Sequence, residues 1–133
     1  MILCMLDSNI CIYLIKRKPM HVVDKLRTFD PGKVAVSSIT VAELHCGVSK
    51  SNQPDRNREA LAEFLFPLEV LPFDENASYH YGDIRNTLEK MGNVIGSMDL
   101  LIAAHARSLS LTLITNNLRE FERVPGLRAD NWV

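Results

Sequence analysis

The chain opens on an apolar run, Ile2 to Leu6, that stops at Asp7, the pattern of a short strand buried on both faces of a parallel sheet. Ile10, Tyr13 and Leu14 then recur at helical spacing, with Ser8 or Asn9 as the cap and Lys16, Arg17 and Lys18 suited to the negative end of a helix. Pro19 opens a second helix with Val22, Val23, Leu26 and Phe29 on one face. After the turn at Asp30-Pro31-Gly32, Val34 to Ile39 reads as a second strand. Thr40 and Glu43 fit a capping box for a helix whose buried stripe is Val41, Leu44 and Val48 and which ends near Lys50. Residues 52–66 predict another helix, and Leu68 to Phe73 a third strand, placed near an edge by Pro72. Asp74 caps an amphipathic helix carrying Tyr81, Ile84, Leu88 and Met91, broken by residues 92–97. Leu100 to Ala104 is apolar on almost every side, as in a helix packed in the middle of the protein. Leu111 to Thr115 is a fourth buried strand, closed by Asn116 and Asn117, with a weakly signalled last strand between Leu127 and Trp132.

Strands alternating with helices predict an α/β fold with a mostly parallel sheet covered on both faces. The length, 133 residues, fits a single domain spanning 1–133. With 47% hydrophobic and 23% charged residues the chain has the composition of a globular protein and not of a disordered tail. A net charge of −1 excludes nucleic-acid binding by bulk positive charge, so any phosphate contact needs a local patch or a metal. No apolar run approaches the ~20 residues that cross a bilayer, and Asp7 interrupts the stretch where a signal peptide stays apolar. These features predict a cytoplasmic protein with no membrane partner. Cys4, Cys11 and Cys46 form no C-x-x-C pair and are expected as small core residues.

In open parallel sheets the functional crevice lies beyond the carboxyl ends of the strands. Asp7 follows the first strand, Glu43 lies in the helix after the second, Asp99 opens the central helix, and Glu120 follows the fourth strand. Singly each has an ordinary role: helix cap, capping-box partner, helix-dipole partner, solvated surface acid. Gathered at one rim, carboxylates within ~4 Å repel by roughly 1 to 4 kcal/mol per pair, and a cation must offset this. Mg²⁺ or Mn²⁺ suits such oxygen ligands, and the resulting chemistry is phosphodiester hydrolysis. No phosphate-binding glycine loop occurs, so nucleotide-binding readings lose their footing. His21, His45, His80 and His105 show no metal-ligand spacing and read as surface or helix-face packing. No G-x-S-x-G elbow marks a serine hydrolase.

Four segments, 5–10 (MLDSNI), 38–44 (SITVAEL), 95–99 (IGSMD) and 114–121 (ITNNLREF), resemble the successive motifs of PIN-domain ribonucleases, most closely the VapC toxins of bacterial toxin–antitoxin pairs. The similarity runs from Met5 to Trp132 with the motifs in order. It implies a three-layer α/β/α sandwich, a Mg²⁺ or Mn²⁺ site, and endonucleolytic cleavage of RNA, in several relatives at a tRNA anticodon loop. By motif, Asp7 and Asp99 are the implied metal ligands, with Glu43 completing the acidic cluster and orienting the water. Many PIN domains have an Asp where this chain has Asn117, which leaves either Asn117 as a neutral partner or Glu120 as the fourth acid. This departure favours one firmly bound ion and a weaker, substrate-dependent one. Thr115 and Ser8 would fix the rim through their hydroxyls, beside Asn9.

An acidic centre needs cationic rails for RNA, and the candidates are Lys16, Arg17 and Lys18, the stretch 50–58, and Arg85 with Lys90. The resemblance further implies a VapB-type antitoxin that blocks the acidic pocket, often with an arginine, and a second copy of the toxin, hence a homodimer and toxin–antitoxin hetero-oligomer. Two other readings stand beside it. One is a phosphoacceptor signalling domain, which also gathers acids and a Thr around Mg²⁺ but wants a Lys where Asn116 and Asn117 stand. The other is a catalytically silent RNA-binding relative, kept open by Asn117.

Overall fold

In the computed structural model, which describes residues 1–133, five short strands form one sheet: β1 (Cys4–Leu6), β2 (Val34–Ser37), β3 (Glu69–Leu71), β4 (Thr112–Ile114) and β5 (Ala129–Asp130). The order is β3-β2-β1-β4-β5 and every neighbouring pair is parallel. β1 is central, with Leu6 in register with Val36 on one side and Ile114 on the other. The edge position predicted for the strand before Pro72 is where β3 lies. Seven helices connect the strands: α1 (Ser8–Lys16), α2 (Met20–Arg27), α3 (Ser38–Lys50), α4 (Pro54–Leu65), α5 (Glu75–Lys90), α6 (Ser97–Ser108) and α7 (Leu118–Phe121). None is long and apolar enough to cross a membrane.

The period-two alternation of β1 divides the interior in two. Cys4 and Leu6 join one cluster with Ile10, Leu14, Val22, Leu44 and Leu61 from the first four helices. Met5 joins the other, with Ile84 and Leu88 of α5, Ile102 of α6, and Leu113 and Phe121. The three layers expected of an α/β/α sandwich follow from this division. As anticipated from its apolar sequence, α6 is buried almost all round, from Leu100 through Ala106.

Several local expectations need correction. The cap of α1 is Asp7, whose Oδ1 accepts the Ile10 N–H at 2.9 Å, and Ser8 and Asn9 already lie in the helix. No capping box forms at Thr40: β2 pairs with β3 as far as Ser37, so α3 begins at once, and the Ser37 Oγ accepts the Ile39 N–H at 3.1 Å. Thr40 is therefore inside the first turn. Met91 is 60% exposed because α5 ends at Lys90 and its buried stripe stops at Leu88. Cys4 and Cys11 are core residues, but Cys46 faces solvent. His105, expected on a surface or helix face, is buried, with Nδ1 2.7 Å from the Ser37 Oγ and its ring nearly perpendicular to that of Phe73. The four-residue α7 was not anticipated, since one turn is too short to show a period.

Arg107 ties the far ends of these elements together. Its guanidinium donates to His80 Nδ1 at 2.9 Å, to the Pro125 carbonyl at 3.0 Å and to Asp83 at 2.7 Å. The side chain is only 14% exposed, so its bonds are poorly replaced by water. Arg107→Ala is expected to destabilise the protein by about 1 to 3 kcal/mol, read from urea denaturation, with Arg107→Lys recovering only part of it.

Candidate active site at the carboxyl edge of the sheet

Parallel pairing brings the ends of β1, β2 and β4 to one rim, and the four acids singled out in the sequence meet there. Asp7 is the first residue beyond β1, held by its own N–H to the Ile114 carbonyl at 3.0 Å and by its cap bond into α1. It is 4% exposed. That burial pushes its carboxyl above the usual range. The Thr115 hydroxyl and the Ile10 and Asn9 N–H groups oppose the rise, and the charge of Glu43 adds to it.

Glu43 projects from α3 toward α1, where the Ser8 hydroxyl donates to its Oε1 at 2.6 Å. Asp99 stands in the first turn of α6 and its carboxyl is pushed up to about 6. Burial is the largest cause, followed by the adjoining Glu120 carboxyl and by the charges of Asp7 and Glu43. Glu120, on α7, is held by the Asn117 side-chain amide, and the Asn117 N–H in turn donates to the Thr115 Oγ1 at 2.9 Å. Thr115 is fully buried and so serves both sides of the rim. Asn9 contributes its backbone N–H to Asp7, while its side chain is exposed. The carboxyl beside Asp99 is that of Glu120, with the Asn117 side-chain amide as its donor.

Sequence reasoning missed two supports, neither of which leaves a local signal. The His105 ring, its pKa lowered chiefly by burial, joins α6, which bears Asp99, to Ser37 at the start of α3, which bears Glu43. These partners lie 68 residues apart. At the outer rim the Asn116 amide donates to the Tyr13 hydroxyl at 3.0 Å and accepts from Asn131 at 3.3 Å.

The donor set fits a hard divalent cation, being oxygen only and carrying charge that the protein alone leaves uncompensated. No three of these side chains are close enough to share one ion in this structure. Among the expected cationic rails, Arg85 is engaged with Glu89 at 3.1 Å and the Tyr81 hydroxyl at 2.7 Å, and Arg58 with Asp55 at 3.2 Å. Lys16, Arg17 and Lys18 are exposed at the far end of α1. A groove of about 460 Å³ between α1, α3 and α4 is lined by Ile12, Ile15, Leu44, Val48 and Leu61 and reaches Glu43.

Residues 4–127 match the PIN domain family. The chain is 50% identical over 129 residues to ribonuclease VapC2 of Haemophilus influenzae, covering 97% of each chain. It is 45% identical over 128 residues to the tRNA(fMet)-specific endonuclease VapC of Shigella flexneri, covering 96% of each. Among solved structures, the DNA-bound VapBC from Salmonella typhimurium superposes with a TM-score of 0.95 at 44% identity, with both chains fully covered.

Proposed function

This chain belongs to the PIN-domain family and, within it, to the VapC ribonucleases, and from that premise we propose that it hydrolyses a tRNA at the Asp7, Glu43, Asp99, Glu120 rim with the help of Mg²⁺ or Mn²⁺. The observation that carries the proposal is the gathering of Glu120, Asp7 and Glu43 around Asp99, whose carboxyl is raised by burial and then by these three neighbours, which marks a rim built to receive positive charge. The phosphoacceptor reading loses its place once the family is established.

Asp7 and Asp99 would hold the ion, which when bound polarises the phosphate and lowers the pKa of a water to give a nucleophile. The protein's own part is positioning. Thr115 and the N-terminus of α1 oppose the rise in the Asp7 pKa and fix its carboxyl in place. Ser8 holds Glu43, whose carboxylate orients the attacking water. Asn117 holds Glu120 against Asp99, where it takes the place of the Asp found in many relatives of the family. Hydrolysis adds water across one P–O ester bond of the RNA backbone.

Relatives named tRNA(fMet)-specific endonucleases support initiator tRNA as the substrate, and the family resemblance points to a cut in its anticodon loop. Unpaired loop nucleotides can reach an open rim that a duplex cannot enter. The apolar groove that ends at Glu43 supports neutralisation by a VapB-type antitoxin, whose apolar segment would lie in it and whose arginine would satisfy the carboxylates bidentately.

The test is incubation of antitoxin-free protein with end-labelled initiator tRNA and with total tRNA, in Mg²⁺ or Mn²⁺ and in EDTA. Discrete cuts in the initiator tRNA that vanish in EDTA are expected. Binding without cleavage at saturating Mn²⁺ would instead identify a silent RNA-binding relative.

A further inference from the structure

Thr40 has no role in the site described so far, yet it carries an anomaly. It is fully buried in the first turn of α3, and its hydroxyl has no hydrogen-bond partner. Every other buried side-chain oxygen or nitrogen is satisfied. A valine of nearly the same shape would fill the position without burying an unmet hydroxyl.

Its position suggests what the hydroxyl is for. Thr40 precedes Glu43 by three residues on the same helix, so the two side chains are neighbours on one face. Helical side chains lean toward the N-terminus, so the Glu43 side chain covers the turn that bears Thr40. Glu43 Oε1 is taken by the Ser8 hydroxyl at 2.6 Å, while Oε2 has no donor. A carboxylate oxygen accepts two hydrogen bonds, so a donor on Oε2 leaves a lone pair for a water.

We infer that Thr40 is a positioning residue whose hydroxyl donates to Glu43 Oε2 in the working site, so that Ser8 from α1 and Thr40 from α3 clamp one carboxylate between them. The inference rests on the assignment of this rim as a ribonuclease centre. The clamp closes when the Glu43 carboxylate, still held by Ser8 through Oε1, swings its free Oε2 onto the Thr40 hydroxyl. The hydroxyl is unmet at rest because its partner arrives only then. The bond is thus made on the way to the transition state and affects turnover more than substrate binding.

The experiment compares wild type, Thr40→Val and Thr40→Ser as antitoxin-free full-length proteins, by tRNA cleavage kinetics in Mn²⁺ and by thermal melting. Thr40→Val is expected to lower kcat about 10-fold with KM unchanged, and to raise the melting temperature by a few degrees because the unmet hydroxyl is gone. Thr40→Ser, which keeps the hydroxyl, restores kcat to within about 3-fold of wild type. In a Glu43→Gln background, Thr40→Val causes no further loss, because the residue acts only through that carboxylate. Wild-type turnover in Thr40→Val overturns the inference while leaving the ribonuclease assignment intact. A lowered melting temperature with unchanged kcat also overturns it and makes Thr40 a structural hydroxyl. A wild type that cuts no RNA removes the assignment itself, and the clamp with it.

Discussion

Asp99→Asn is expected to cut tRNA at least about 100-fold more slowly than wild type and, in EDTA at pH 7.5, to melt at a higher temperature. The first effect follows from the place of Asp99 among the acids that would hold the ion. Loss of a residue that merely supports a metal ligand typically costs 10- to 100-fold, and loss of the ligand itself costs no less. The second follows from the charge that Asp99 carries against burial, Glu120, Asp7 and Glu43. Asparagine keeps the shape and removes the repulsion. The gain is about 1 to 2 kcal/mol, or about 3 to 8 °C for a chain of this length, after discounting for solvent screening at a half-buried group. A variant that loses activity by unfolding would melt lower, so opposite movement of activity and melting temperature separates function from stability.

The metal-free protein is expected to carry a pH dependence traceable to the same residue. The Asp99 carboxyl titrates near 6 in the folded protein and near the ordinary carboxylate value of about 3.9 when unfolded. The folded state therefore binds the extra proton, and the associated stability is fully present below about pH 4 and lost as pH rises through 6. Asp7, raised in the same direction chiefly by burial, adds to the trend. Urea denaturation of wild type and Asp99→Asn from pH 4 to 8 in EDTA isolates the contribution. The variant is expected to gain on wild type across that window, by about 1 to 2 kcal/mol at its upper end. Saturating Mn²⁺ is expected to abolish most of the difference in pH dependence, since an ion at the rim stabilises ionised carboxylates. Parallel stability curves in EDTA would show that Asp99 does not feel its neighbours.

The layers and the acidic rim were legible in the sequence because each rests on a signal that local chemistry writes plainly. A strand buried on both faces is a short apolar run, and the acids stand at fixed offsets beyond such runs. Parallel pairing then does the rest, since it carries all the carboxyl ends to one side. The start of α3 shows where this legibility stops. Ser37, Ser38 and Thr40 are each acceptable caps, and the choice fell to Ser37 because the pairing of β2 with β3 runs to that residue. At α1 the same contest was settled for Asp7, leaving the Ser8 hydroxyl free to hold Glu43. The His105 contact with Ser37 and the Arg107 anchor lay outside reach for a different reason. Each joins residues distant in the chain, and no local period reports such a contact. Arg85 reads as a free cation in the sequence but is engaged with Glu89 and Tyr81 on its own helix face.

Direct calorimetric titration of Mn²⁺ into wild type and Asp99→Asn, at pH 6 in buffers of different ionisation enthalpy, tests most closely whether the four acids form one cation-holding centre. Wild type is expected to bind with release of protons, because the Asp99 carboxyl is about half protonated at that pH. The variant is expected to bind at least about 10-fold more weakly and to release fewer. Equal affinity and equal proton release in the two proteins would contradict the account and move the metal away from this rim.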